Sequence, residues 1–337
     1  MTRPLVAVDA DVLGRRRTGE ETYVLNLLRS LPSVAPELRI VAITRHPELV
    51  PEGIEPVELP ARSQELRMAW ALPRLLRRLR PAVAHFQHAL PLGYQGRAVV
   101  TLHDLHFERD PGVMGPLDRF VFKRVVPRAA RRADRVLAVS ERTKADAVEV
   151  YGIAPEKVTV TPHGVDPVFG PGDGGSDGYL LFVGAVQERK DPLTALVAAE
   201  AVGLPLVVAG PEKEPQLARE LRARGADVRG FVTPSELASL YRRAEALILP
   251  SRYEGFGIPV IEAMASGTPA VISSDAALVE VAGGAAEIAA DGEFGRAVER
   301  VLADRDRYVQ AGLRRASHFT WDETARLTAD AYRTVLS

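Results

Sequence analysis

The sequence predicts an α/β fold with doubly wound parallel sheets in two domains, and three observations predict it. Short apolar, β-branched runs alternate with stretches of 3.6-residue apolar spacing almost from end to end. The runs are apolar along their length, the pattern of parallel strands covered on both faces. At 337 residues the chain exceeds one ordinary core and suits two of roughly 150 residues each.

In the first half the strand runs are residues 5–10, 39–44, 82–86, 98–103, 135–140 and 158–162. In the second half they are 179–184, 204–209, 226–231, 246–250 and 269–273. Helical spacing fills the intervals, as at 193–201 and 234–244, and a last helix is expected over 322–335. The clearest break is 170–178, with five glycines, a proline and no apolar side chain, which reads as a linker. The expected domains are 1–168 and 169–318, with 319–337 packing back toward the first. Ligands of open α/β sheets bind outside the carboxyl ends of the strands, so a cleft between two such domains is the expected site.

Composition narrows the function. With 46% hydrophobic and 26% charged residues the chain is ordinary globular protein. A net charge of −1 argues against nucleic acid as a partner of the whole molecule. The absence of cysteine excludes disulfides, thiolate nucleophiles and Cys-based zinc sites, and suits a cytoplasmic location. The first nine residues form only a strand-length run without a signal-peptide core, and no run approaches the 18 or so apolar residues of a membrane span.

The most informative segment runs from Pro250 to Pro269. A strand ends at Pro250, a loop carries Glu254-Gly255-Phe256-Gly257, and a helix starts near Ile258 with Pro259 in its first turn. Gly267 and Pro269 stop that helix. Glu254 is expected above the strand end and Glu262 about one turn inside the helix, with helix N-terminal N–H groups between them that suit a diphosphate.

Two glutamates separated by seven residues around Gly-Phe-Gly, followed by Glu-Ala-Met-Ala-Ser-Gly-Thr-Pro, resemble the signature of the family 4 retaining glycosyltransferases. That resemblance implies the GT-B fold, two Rossmann-like domains facing a central cleft. It implies donor-sugar contacts from Glu254, ribose contacts from Glu262, and donor binding by Gly255, Phe256, Gly257 and Ile258. The segment Phe182–Pro192 is similar to the family's diphosphate clamp, which assigns Arg189 and Lys190 to the leaving group. It departs from the pattern at Gly184-Ala185, where many relatives carry Gly-Arg. The stretches 273–286 and 316–322 also resemble family segments, and there Glu280 and Trp321 are read as structural.

In the first half, the loop Gly14-Arg15-Arg16-Arg17-Thr18-Gly19 lacks the G-x-G-x-x-G dinucleotide fingerprint. Its counterpart in the family faces the donor diphosphate, which assigns that contact to Gly19; the three arginines fit a phosphate and a solvated loop equally. Relatives carry a histidine like His103 near the donor sugar, whereas His106 reads as structural. The spacing of these histidines and of His85 and His88 does not support a metal site, and the family needs none. His163-Gly164 stands where many relatives have Asn-Gly, a substitution of mannosyltransferase-like branches.

By resemblance, then, the chain is a metal-independent retaining transferase without a bound cofactor. It would move a sugar from a nucleotide-sugar, GDP-mannose ahead of UDP-sugars, to a glycan or lipid-linked hydroxyl in cell-surface polysaccharide synthesis. Two basic stretches, 74–80 with four arginines and 123–135 with six cations, fit peripheral contact with an anionic membrane, and fit a solvated helix face as well. A GT-B sugar-nucleotide epimerase shares the fold, but its His/Asp/Glu set is not found in the first half. A phosphorylase would require pyridoxal phosphate and a longer chain. A non-catalytic sugar-nucleotide-binding partner subunit would not require both glutamates and the Arg-Lys pair.

Overall fold

The structure, a computed structural model, describes residues 3–15, 18–61, 63–109, 116–172 and 175–337. The chain divides into two compact units, Met1–Gly164 with Trp321–Ser337, and Val165–Thr320. The changes of unit fall at 164/165 and 320/321, against the expected 168/169 and 318/319.

The first unit runs β1 (Leu5–Asp9), α1 (Thr18–Val34), β2 (Arg39–Thr44), β3 (Glu55–Glu58), α2 (Gln64–Leu66), α3 (Leu72–Leu79), β4 (Val83–Gln87) and β5 (Ala98–Leu102). It continues through α4 (His106–Arg109), α5 (Pro116–Arg132), β6 (Arg135–Ala138), α6 (Glu141–Tyr151) and β7 (Val158–Val160). All its strands are parallel, in the order β3-β2-β1-β4-β5-β6-β7. Alternate residues of β1 go to opposite faces: Val6 and Val8 join Leu27 and Leu28 of α1, whereas Ala7 joins Leu72 and Leu76 of α3. That two-sided burial is why the strands read as continuous apolar runs.

The second unit runs β8 (Leu180–Val183), α7 (Pro192–Val202), β9 (Leu206–Ala209), α8 (Pro215–Ala223), β10 (Asp227–Gly230), α9 (Pro234–Arg243) and β11 (Ala246–Leu249). Then follow α10 (Ile258–Ala265), β12 (Ala270–Ile272), α11 (Ala276–Ala282), β13 (Glu287–Ile288), α12 (Phe294–Ala303) and α13 (Arg305–Ala316). Its parallel order is β10-β9-β8-β11-β12-β13. The order reverses between β1 and β4 in one sheet and between β8 and β11 in the other. Such reversals open crevices at the carboxyl ends of the strands.

The last helix, α14 (Trp321–Leu336), belongs to the first unit and buries Trp321, Ala325, Tyr332 and Val335 in the core around α1. Two strands go beyond the sequence expectation, β3 and β13, both at sheet edges. Of the expected linker at 170–178, residues 173 and 174 lie outside the described residues, and its start is held against the second unit. Arg242 at the end of α9 donates to the carbonyls of Val168 and Gly170, each at 2.7 Å. Helix α9 itself is started by a capping box, in which Thr233 Oγ1 accepts from Glu236 N and the Glu236 carboxylate accepts from Thr233 N.

Candidate functional site

At the β8/β11 switch point of the second unit, two loops are tied together by their backbones. The N–H of Arg252 donates to the carbonyl of Arg189 at 3.0 Å, and the Arg189 guanidinium donates to the carbonyl of Tyr253. This brings Lys190, which follows β8, onto Glu254, which follows β11. Lys190 Nζ pairs directly with Glu254 Oε1, and Arg189 lies 3.9 Å from Glu254 Oε2. Asp191 holds the turn in the left-handed region (φ 51°) and caps α7 by accepting from Thr194 N at 3.3 Å. A strained residue adjoining charged side chains is common at ligand sites.

The loop into α10 depends on Gly257, with φ 104°. A Cβ there would stand 2.6 Å from Leu278 Cδ2. Glycine therefore allows the chain to leave β11, turn sharply and start α10 at Ile258 with Pro259 in the first turn. Glu262, the fifth residue of α10, is buried and accepts a 3.0 Å hydrogen bond on Oε2 from the Tyr241 hydroxyl of α9.

The two glutamates differ sharply in charge state. Burial acts to raise the Glu254 carboxyl, but Lys190 and then Arg189 outweigh it and hold it below its ordinary value. For Glu262 burial is the largest influence, the Tyr241 hydrogen bond opposes it and Asp166 adds to it, and the carboxyl is pushed up to about 8. One is an ionised carboxylate beside two cations, a setting suited to an anionic ligand. The other is a basic carboxyl with a neutral partner, suited to hydroxyl donors.

Nearby, an open depression of about 620 Å³ is lined by Glu188, Asp191, Glu214 and Arg252 but by neither Glu254 nor Glu262. With Glu220 and Lys213 also in its wall, four acidic side chains face two basic ones, a balance that disfavours a phosphate.

In the first unit, His103 follows β5 and donates from Nε2 to Gln87 Oε1 at 2.9 Å. Its ring meets Tyr23 edge-on at 4.8 Å and stacks on His163 at 5.8 Å. Burial is the main influence that drives its pKa down to about 4, so the ring is neutral with a lone pair on Nδ1. His85 is wholly buried between Tyr332 (2.6 Å) and Thr101 (2.7 Å), and His106 pairs with Asp104 at 2.6 Å. Among the described residues no group of three His, Asp or Glu side chains is placed to hold a metal ion.

Helix α1 starts at Thr18, so Gly19 lies in its first turn and not in the preceding loop, and nothing comes within 4 Å of a Cβ built there. Arg16 and Arg17 lie outside the described residues. Arg15 pairs with Asp11, beside a buried network that no sequence motif announced: Arg67, fully buried, binds both oxygens of Asp9, and Arg45 binds both oxygens of Asp11. Tyr241 also escapes a sequence reading. Its only signal is that it is the sole aromatic of α9, on that helix's apolar face.

The family model described as Glycosyltransferase Family 4 matches residues 17–169, and that of Glycosyl transferases group 1 matches 171–313. The chain is 26% identical over 268 residues to O-antigen chain mannosyltransferase B of Escherichia coli, covering 70% of each chain. It is 32% identical over 240 residues to the MMP alpha-(1->4)-mannosyltransferase of Mycolicibacterium hassiacum, covering 64% of this chain and 58% of that one. The chain spans 52% to 70% of the length of these and six further curated relatives. Among solved structures, sucrose-phosphate synthase from Thermosynechococcus elongatus superposes with a TM-score of 0.80 at 18% identity, covering 98% of this chain and 99% of that one.

Proposed function

We infer the function from one premise: the chain belongs to the family 4 glycosyltransferases, of GT-B fold. We propose that it transfers a sugar from a nucleoside-diphosphate sugar to a hydroxyl with retention of the anomeric configuration. The observation that carries this reading is the joining of Glu254, Lys190 and Arg189 at the switch point of the second sheet. Lys190 and Arg189 would take the diphosphate, whose negative charge grows as the bond from its oxygen to the anomeric carbon breaks. Glu254, released from part of that pairing, would accept hydroxyl hydrogens of the donor sugar. The acceptor oxygen bonds to the same anomeric carbon, and its proton passes to the departing phosphate, so no separate base is required. His103 would present its neutral ring to the donor sugar, Gly19 its backbone to the diphosphate and Glu262 its carboxyl to the ribose. Neither a metal nor a bound cofactor has a part in this scheme.

GDP-mannose is the favoured donor, since two of the relatives are mannosyltransferases and His163-Gly164 stands at the family's Asn-Gly position. The acceptor class follows the same likeness: a glycan or lipid-linked hydroxyl. The test is donor hydrolysis and transfer with GDP-mannose, GDP-glucose, UDP-glucose and UDP-galactose, with the product anomer read by NMR. GDP-mannose should be used fastest, with an α-linked product. Lys190→Ala should lower kcat by about 10²-fold or more while donor KM moves little. An inverted product, or full turnover by Lys190→Ala, would refute the scheme.

The basic helix α3 supports peripheral contact with anionic lipid. Trp70 is 61% exposed with Arg74 4.1 Å above its ring, and Arg77, Arg78 and Leu92 are exposed. Among the described residues no helix is long and apolar enough to cross a membrane. Flotation with phosphatidylglycerol vesicles should retain the protein at low salt and lose it in Arg74→Glu/Arg77→Glu/Arg78→Glu; equal retention of both would exclude this face.

A further inference from the structure

The Gly267-Thr268-Pro269 stop of α10 and the last turn of α9 do more than end two helices. Thr268 Oγ1 donates to the backbone carbonyl of Tyr241 at 2.5 Å. The Tyr241 ring meets Phe169 edge-on at 5.8 Å, and its hydroxyl donates to Glu262 Oε2 at 3.0 Å. Tyr241 is fully buried, and Glu262 is only 8% exposed. The tyrosine is thus fixed at its backbone, its ring and its hydroxyl. Among the described residues Glu262 Oε1 accepts no hydrogen bond.

We propose that Tyr241 is a positioning residue for donor recognition, its hydroxyl orienting Glu262 so that the remaining carboxylate oxygen receives the ribose hydroxyls of the nucleotide. This rests on the reading of Glu262 as the ribose contact given above. Glu254 is tied to two cations and is thereby suited to a site where phosphate charge is handled. Glu262 is held by a neutral donor that fixes the rotamer without pairing the carboxyl with a cation. A neutral polyol suits such a carboxyl, because its hydroxyls meet an acceptor oxygen with no ammonium competing for it. Tyrosine meets the requirement with only two side-chain torsions to fix, and its partner residues fix both here.

The test compares binding of GDP and 2′,3′-dideoxy-GDP by calorimetry to wild type, Tyr241→Phe and Glu262→Gln, with UDP and its dideoxy form used if the donor screen selects uridine. Wild type should prefer the ribonucleotide by about tenfold or more, the range of hydrogen bonds to a charged group. Tyr241→Phe should lower that preference at least fivefold, entirely through weaker GDP binding, with dideoxy-GDP unchanged within twofold. Donor KM should rise in parallel while kcat stays within twofold. An unchanged preference in Tyr241→Phe, or an equal loss for both nucleotides, overturns the positioning role while leaving Glu262 as the ribose contact. A Glu262→Gln enzyme with the wild-type preference overturns the ribose reading itself, and the inference with it. Thr268→Val, which removes the backbone anchor and keeps both side chains, should shift the preference in the same direction by a smaller factor. Equal weakening of both nucleotides there counts against the proposal even if Tyr241→Phe does not fold.

Discussion

Glu254 and Glu262 are buried to nearly the same degree, yet their neighbours move their carboxyls in opposite directions. The difference has a pH signature. Glu262, raised to about 8, is largely protonated at neutral pH in the free protein, and a protonated carboxyl is a poorer acceptor for two ribose hydroxyls. Donor affinity should therefore strengthen as pH rises from 6 to 8 and level off above, whereas Glu262→Gln should give a flat profile. The sign for stability is opposite. The folded state holds this proton more tightly than the unfolded state, whose carboxyl sits at its ordinary 4.5. The contribution is complete below 4.5 and is lost as pH rises through the folded value. Between pH 5 and 8.5 the wild type should thus lose more thermal stability than Glu262→Gln. A parallel response of the two proteins would show that Glu262 is not a raised, buried acid.

At the level of elements, the strand interiors were readable because both faces are covered, as with Leu247, Ile248 and Leu249 of β11. Of the four edge strands two were not. β3 is Glu-Pro-Val-Glu and β13 only Glu-Ile, too polar or too short to carry a pattern. The β11–α10 turn was readable from its glycines, but why Gly257 must be glycine appears only in its surroundings: φ 104° and a Cβ position 2.6 Å from Leu278. Gly257→Ala should cost about 2–4 kcal/mol, the sum of left-handed strain and overpacking. Gly203→Ala, at φ 69° with open space around its Cβ position, should cost only about 1–2 kcal/mol. Urea unfolding midpoints compare the two, and equal shifts would mean that the Leu278 contact relaxes freely.

At the scale of the molecule, the chain leaves the first unit at Gly164 and returns to it at Trp321. On its return α14 contributes Trp321, Tyr332 and Val335 to the core around α1, and Tyr332 holds the buried His85. Burying three such side chains is worth about 5–9 kcal/mol, comparable with the whole stability of a domain. A chain ending at Thr320 should therefore lose the first unit and keep the second. Limited proteolysis with mass spectrometry should then find 165–320 protected and 1–164 cleaved. Protection of both segments would show that α14 is dispensable.

The sequence by itself determined the α/β class and the parallel sheets, because each is written in a local pattern of apolar runs and helix signals. It singled out the two glutamates and the Arg-Lys pair by their resemblance to a family signature. Only the tertiary structure decided which of these charges meet. Lys190 and Glu254 stand 64 residues apart, and they touch because β8 and β11 are neighbours at the point where the strand order reverses. The same holds for Tyr241 on Glu262 and for Arg67 on Asp9, whose partners come from separate elements. A one-dimensional pattern encodes which face of an element is apolar. It does not encode the packing that makes one buried carboxylate ionised and leaves another holding its proton.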